Sequence, residues 1–195
     1  MEADFAVELG AGDETLELPW STPAGPRYYD LKHQPELLLN IEEARRVPEL
    51  GEFLSAVNSP VGPLETAKCD AWASTEINPE EEIFGAAWKF GSYVDLVFAA
   101  QPPRLSFPAH EQFAGQITQL LKRAPEIPAA AEFLIRRCYF HQGGKVRDGF
   151  YFTAYLFGYG DDEVQSRQSW VIALRLLGNA IRQMSAGYSV NALPV

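Results

Sequence analysis

The stretch from residue 132 to residue 184 constrains the fold most, because two strand-like runs are followed at once by a long amphipathic helix. "EFLIRRCYFH" (132–141) and "GFYFTAYLFGYG" (149–160) are rich in β-branched and aromatic residues, and "QGGKVRD" (142–148) between them carries the glycines of a turn. The helix begins near "DDEVQSRQ" (161–168), where Asp162 suits an N-cap and Gln165 completes a capping-box pattern. Trp170, Leu174, Leu177, Ile181 and Met184 then recur at spacings of four and three, which makes one apolar stripe. Gly187 stands where a C-cap would end the helix, leaving 186–195 as a short tail. A tight hairpin pairs its strands antiparallel, and the stripe has to be buried, so this order implies a helix lying on an antiparallel sheet.

The same rhythm recurs twice upstream. "ETAKCDAWASTEI" (65–77) alternates, "IFGAAWKFGSYVDLVFA" (83–99) returns as a long β-prone run, and "AHEQFAGQITQLLKR" (109–123) reads as a helix with a basic last turn. Nearer the N-terminus, "ADFAVEL" (3–9) and "TLELPW" (15–20) flank the Gly-rich "GAGDE" and read as a hairpin. A Pro/Gly-rich loop (21–35) follows, then helical "PELLLNIEEARR" and "PELGEFLSAVN". The expected fold is therefore α+β: a single domain over 1–195, with three successive β-β-α units forming one antiparallel sheet of about six strands and helices packed on one face.

Side chains alternate across a sheet, so parity sorts candidate functional residues. Tyr151, Thr153 and Tyr155 share a hydroxyl-rich face opposite Phe150, Phe152, Ala154 and Leu156. A hairpin centred near Lys145 would set residue 139 against 151 and 137 against 153, adding Arg137 and Tyr139 to that face and sending Cys138 to the core beneath the helices. In the preceding pair, the small Cys69, Ala71 and Ala73 complement the large Trp88, Phe90, Val94, Leu96 and Phe98 in one layer. Asp70, Trp72, Glu76, Lys89, Tyr93 and Asp95 are left outside. The helix-free face is thus expected to be polar yet aromatic, with Trp72, Tyr93, Arg137, Tyr139, Tyr151 and Tyr155 as its binding residues. Tyr, Trp and Arg are the side chains that dominate binding energy at interfaces. Three fates suit such a face: a cover from 21–35, a homodimer or partner interface, or the floor of a pocket.

Chemical motifs are sparse. Cys138 and His141 lie three apart, which puts them on opposite sides of a regular strand, and there is no Cys-x-x-Cys, so neither a metal nor a Cys–His nucleophile is expected. "GAGDET" lacks the third glycine of a dinucleotide fingerprint, and no phosphate loop occurs, so no cofactor is expected. If the protein were an enzyme acting on a small molecule, Asp70, Asp95, Arg137 and Tyr151 would be the catalytic candidates, since carboxylates on one face can split their pKa values. The net charge is −10, and residues 1–65 carry thirteen acids against four bases. This balance points away from nucleic acid, which needs a basic footprint; the acidic third reads either as a solvated, solubilising surface or as an acidic-surface contact with a basic protein. No apolar run approaches a membrane span and no leader pattern opens the chain, so a cytoplasmic protein is expected. These readings converge on a non-catalytic binding module, with the small-molecule enzyme as the alternative.

Overall fold

The structure, a computed structural model, describes residues 1–190 apart from 24, 27 and 125. Its first half comprises strands β1 (Glu2–Glu8) and β2 (Thr15–Leu18), and the two-residue pair β3 (Ser21–Thr22) and β4 (Gly25–Pro26). A 3-10 helix (Pro35–Asn40) and helices α1 (Glu42–Arg46) and α2 (Pro48–Val57) follow. Then come β5 (Leu64–Ser74), a 3-10 helix (Pro79–Phe84), β6 (Trp88–Phe98), α3 (Gln101–Arg104), α4 (Phe107–Lys122), β7 (Ala129–Gln142), β8 (Lys145–Gly160) and α5 (Glu163–Val190). The strands make a six-stranded sheet in the order β1-β7-β8-β6-β5, with β2 also pairing β7.

The β7–β8 hairpin is set by two glycines. Gly143 and Gly144 have φ of 58° and 75°, the left-handed backbone of a two-residue turn, so Gln142 pairs with Lys145. Residue 136 therefore faces 151, and 134 faces 153. The expected pairing, centred near Lys145, is off by an odd number of residues, and an odd slip exchanges faces. Arg137 and Tyr139 consequently stand opposite Phe150 and Asp148, not opposite Thr153 and Tyr151.

The sheet is mixed, not purely antiparallel. Both β1 and β2 run parallel to β7: Glu8 pairs with Arg136 and Thr15 with Arg137. The expected N-terminal hairpin is instead one interrupted edge strand, from which Leu9–Glu14 loops out between adjacent register positions. Gly10 N–H donates to Asp13 Oδ2 at 2.5 Å and Asp13 N–H donates to Gly10 O at 3.2 Å, closing the loop so that the chain leaves in the direction it entered. A true reversal here would have left half of the outer edge of β7 unpaired. The first of the three expected β-β-α units is thus absent as a hairpin.

The long helices α2, α4 and α5 bury their stripes on one face of the sheet, among Phe90, Phe98, Phe133, Ile135, Phe152 and Leu156. Trp170, Leu174, Leu177, Ile181 and Met184 of α5 are all buried there, as their spacing predicts. Trp170 Nε1 donates to Ser92 Oγ at 2.8 Å, which satisfies the one polar atom of that ring inside the core. At the start of α5, Asp162 Oδ1 accepts from Gln165 N–H at 2.8 Å, while Gln165 Oε1 accepts from Asp161 N–H at 3.2 Å. The helix does not stop at Gly187 but continues to Val190, because glycine permits a left-handed cap without imposing one. Residues 186–190 are therefore helical, and 191–195 lie outside the described residues. No helix is long and apolar enough to cross a membrane among the described residues.

The first turns of α5 lie almost on the backbone of β8. A Cβ on Gly158 would come within 2.1 Å of Trp170 N and 2.4 Å of Ser166 O, and both are backbone atoms that cannot swing away. Gly158→Ala is expected to destabilise the protein by about 2 kcal/mol or more, since overpacking a close contact moves whole elements. Gly12→Ala, whose new Cβ meets nothing within 4 Å, should change stability by less than about 1 kcal/mol. Urea midpoints of the two variants check the contrast.

Candidate functional site

The face of the sheet turned away from the helices is covered at both ends and open in the middle. At one end β2 and the chain after it cover the sheet: Leu16, Leu18, Val97, Cys138, Phe140 and Tyr151 are buried together, with Trp20 and Tyr28 packed over them. Trp20 Nε1 donates to Ala67 O at 3.0 Å, which pins the cover to β5. Cys138 is fully buried, as expected, but in this second cluster and not under the helices; burial pushes its thiol well up. Cys69, at the β5 edge, is likewise pushed up by burial, to about 12. Neither thiol is prepared for nucleophilic work.

The 3-10 helix of residues 79–84 folds over the opposite end. Phe84 stacks on Tyr159 with centroids 4.1 Å apart, and Glu81 accepts hydrogen bonds from Lys89 Nζ (2.8 Å), Tyr159 OH (2.8 Å) and Asn78 N–H (2.7 Å). Burial alone would raise the Glu81 carboxyl, but the bonds from Lys89, Asn78 and Tyr159 outweigh it and hold the group below its ordinary value.

Between the covers, the register places side chains in rows that cross the sheet. One row reads Asp4, Glu132, Tyr155, Tyr93, Asp70 from β1 to β5. The adjacent row reads Glu2, Ala130, Phe157, Gly91, Trp72. Gly91 is needed at its position, because a Cβ there would sit 2.9 Å from the Trp72 ring, which lies across the strand. The half-buried rings touch in series: Tyr93 to Tyr155 at 6.0 Å, Tyr155 to Phe157 at 6.3 Å, and Trp72 edge-on to Phe157 at 6.3 Å. Carboxylates stand at both ends of this aromatic strip. The Glu132 carboxyl is pushed up, by burial first and then by Glu8, Asp4 and Glu80, against which Arg136 pulls. The lower part of the strip opens into a recess of about 480 Å³ walled by Glu2, Asp4, Glu80 and Glu132, with Lys122, Phe157 and Phe84 also in its lining.

Beside the strip, on the same face and toward the β2 cover, runs a buried polar chain. Arg136, 8% exposed, donates from Nε to Glu8 at 2.7 Å and from a terminal nitrogen to Glu14 (3.1 Å) and to Thr153 Oγ1 (3.1 Å). The Thr153 hydroxyl in turn donates a hydrogen bond to Asp95 Oδ1 at 2.8 Å. Burial pushes the Asp95 carboxyl up to about 7, against the lowering effect of the Thr153 bond and of Lys68. Arg136 runs the other way: burial disfavours its charge, but the Glu8 carboxylate outweighs this and keeps it ionised.

The residues proposed from sequence therefore fall into two groups. Trp72, Tyr93, Tyr151 and Tyr155 share the open side of the sheet with Asp70 and Asp95, although Tyr151 is sealed beneath the β2 cover. Arg137 and Tyr139 stand on the opposite face; Arg137 is exposed and donates from Nε to Leu9 O at 3.3 Å. The four catalytic candidates do not converge. Asp70 pairs with Arg46 at 2.9 Å at the sheet edge, Asp95 is closed in, and Arg137 faces away from Tyr151. The sequence places Thr153 on the correct face but gives no sign of Arg136, Phe157, Glu132, Glu8 and Glu14 as site residues; reading "QGGK" as a two-residue Gly-Gly turn would have placed Arg136 opposite Tyr151. Among the described residues, no group of three or more His, Cys, Asp or Glu is arranged to hold a metal ion. No family model, no curated protein and no solved structure matches the chain.

Asp95 makes stability depend on pH. Its folded carboxyl titrates near 7 against 3.8 for the ordinary group, so the native state holds the proton more tightly and loses stability as pH rises through that window. Asp95→Asn mimics the protonated form. The variant should match the wild type near pH 4, then gain on it up to pH 7 by as much as about 4 kcal/mol, with no further gain above. Unfolding curves at pH 4, 6 and 8 measure this; a constant difference would show that the carboxyl is not raised.

Proposed function

We propose that the protein is a non-catalytic binding module whose open sheet face receives a positively charged protein partner. The observation that carries this reading is the cross-strand row in which Asp4 and Glu132 on one side and Asp70 on the other bracket Tyr155 and Tyr93. Aromatic faces attract cations through their quadrupole, and carboxylates at both ends of the strip add a long-range field of the same sign. Burial and then the neighbouring carboxylates raise Glu132, and a cation beside it opposes both effects, so cation binding and carboxylate ionisation favour each other. Lys89 and Arg136, the buried cations of this face, are already paired with Glu81 and with Glu8 and Glu14. Arg46 pairs with Asp70, and Lys122 lies in the recess, where Glu2, Asp4, Glu80 and Glu132 outnumber it. The cytoplasmic setting and the absence of a catalytic step belong to the same reading, and a homodimer through this face is the competing occupant.

Titration with a lysine-rich peptide and with an acidic peptide of equal length tests it, followed by tryptophan fluorescence and calorimetry. The lysine-rich peptide should bind, and the acidic one should not. Trp72→Ala and Glu132→Gln should each weaken binding about tenfold, with little change in melting temperature because both side chains reach solvent. Binding should fall steeply as salt rises. Sedimentation that shows a stable dimer disrupted by Trp72→Ala would overturn the reading in favour of self-association.

A further inference from the structure

The two edges of the sheet are finished differently, and the difference points to how a partner would dock. The outer edge of β5 is closed by side chains. Lys32 Nζ donates to Leu64 O (3.0 Å), Asn58 Oδ1 accepts from Thr66 N–H (3.0 Å), and Asp70 Oδ1 accepts from Ala71 N–H (2.7 Å). Arg46 donates to Ala71 O (2.6 Å), and the pairing with β6 is irregular between Thr66 and Cys69. Such capping is how proteins keep an edge from recruiting further strands.

The edge formed by β1 has almost none of this. Over Glu2–Glu8 it pairs with β7 on its inner side, and among the described residues no strand lies beyond it. It carries no proline, lysine or arginine. Among the described residues, the side chain that reaches an outward backbone group is that of Asp4, which accepts from Phe5 N–H at 2.8 Å. By alternation, the amides of Ala3 and Val7 point the same way as that of Phe5. The outward amides of Ala3 and Val7 are thus left for pairing, with α4 packed on the helix side of β1.

We propose that this edge accepts an extended segment of a partner protein by strand addition, and that the segment alternates basic and apolar residues. The inference rests on the cationic partner proposed above and specifies how it binds. The chemistry of the edge selects the pattern. Glu2, Asp4 and Glu8 project on the open face, in line with Glu132, while Phe5 and the 43%-exposed Val7 project on the helix side. A strand laid along β1 meets carboxylates on one face and apolar carbon on the other. Its basic side chains lie beside the acidic recess at the Glu2 and Asp4 end, and main-chain bonds supply affinity that does not depend on sequence. A second copy of β1 is a poor occupant, because self-pairing sets Glu2, Asp4 and Glu8 against their own kind.

The experiment uses the full chain and an acetylated peptide of alternating lysine and valine, read by calorimetry and by amide hydrogen exchange. Addition predicts that β1 amides gain protection when the peptide binds. It also predicts that N-methylation of alternate peptide residues, which removes donors on one edge while keeping every charge, weakens binding about tenfold or more. Val7→Pro should do the same from the protein side, since it deletes one outward donor. If Val7→Pro lowers the melting temperature, the methylated peptide decides alone. Equal affinity of methylated and plain peptides, with binding still sensitive to Trp72→Ala, would overturn strand addition while leaving the cationic face in place. No binding of either peptide to the wild-type chain would overturn both.

Discussion

Contact between the first turns of α5 and the backbone of β8, possible only because residues 158 and 160 are glycine, decides which side of the sheet becomes core. It lets Trp170 reach between Phe90 and the strands and donate to Ser92 from the helix side. Once Ser92, Val94 and Phe152 are committed to that side, strand alternation sends Tyr93, Asp95, Thr153 and Tyr155 to the other. All three long helices follow the same choice. The second face then has to be polar or be covered by irregular chain, and the protein uses both: β2 and Trp20 at one end, the 79–84 turn at the other, and an open aromatic strip between.

The polar chain beside that strip shows how two opposite charges survive burial by different means. Arg136 stays ionised because Glu8, Glu14 and Thr153 occupy its donors. Asp95 has only the Thr153 hydroxyl as a strong partner and lowers its cost by holding a proton near neutrality. Glu14 belongs to the excursion that interrupts the edge strand, so the loop that breaks β1 from β2 is tied to the centre of the sheet through one guanidinium.

Much of this was legible in local pattern. The stripe on α5, the Asp162 and Gln165 capping positions, the pairing of a small β5 face with a large β6 face, and the exposure of Trp72 and Tyr93 all follow from spacing. Each is a property of residues near one another in the chain. Two errors came from the same kind of gap. The β7–β8 register was misjudged because "QGGKVRD" allows several turn positions, and an odd slip moved Arg137 onto the face that belongs to Arg136. The β1–β2 segment was misjudged because "GAGDE" between two short β-prone runs suits a reversal and an outward loop equally well. The edge of β7, more than a hundred residues away, chose the loop.

Periodicity and composition, which each segment carries alone, already specify the class of the fold, the apolar surfaces of its elements, the acidic bias of its first third and the aromatic character of the helix-free sheet face. That the sheet is mixed, that Arg136 and not Arg137 sits at its centre, and that one edge is capped while the other carries little capping are set by long-range pairing. Those outcomes depend on which distant backbone offers unpaired hydrogen-bonding groups and which side chains reach them, and pairing across such distances leaves no mark in the local pattern.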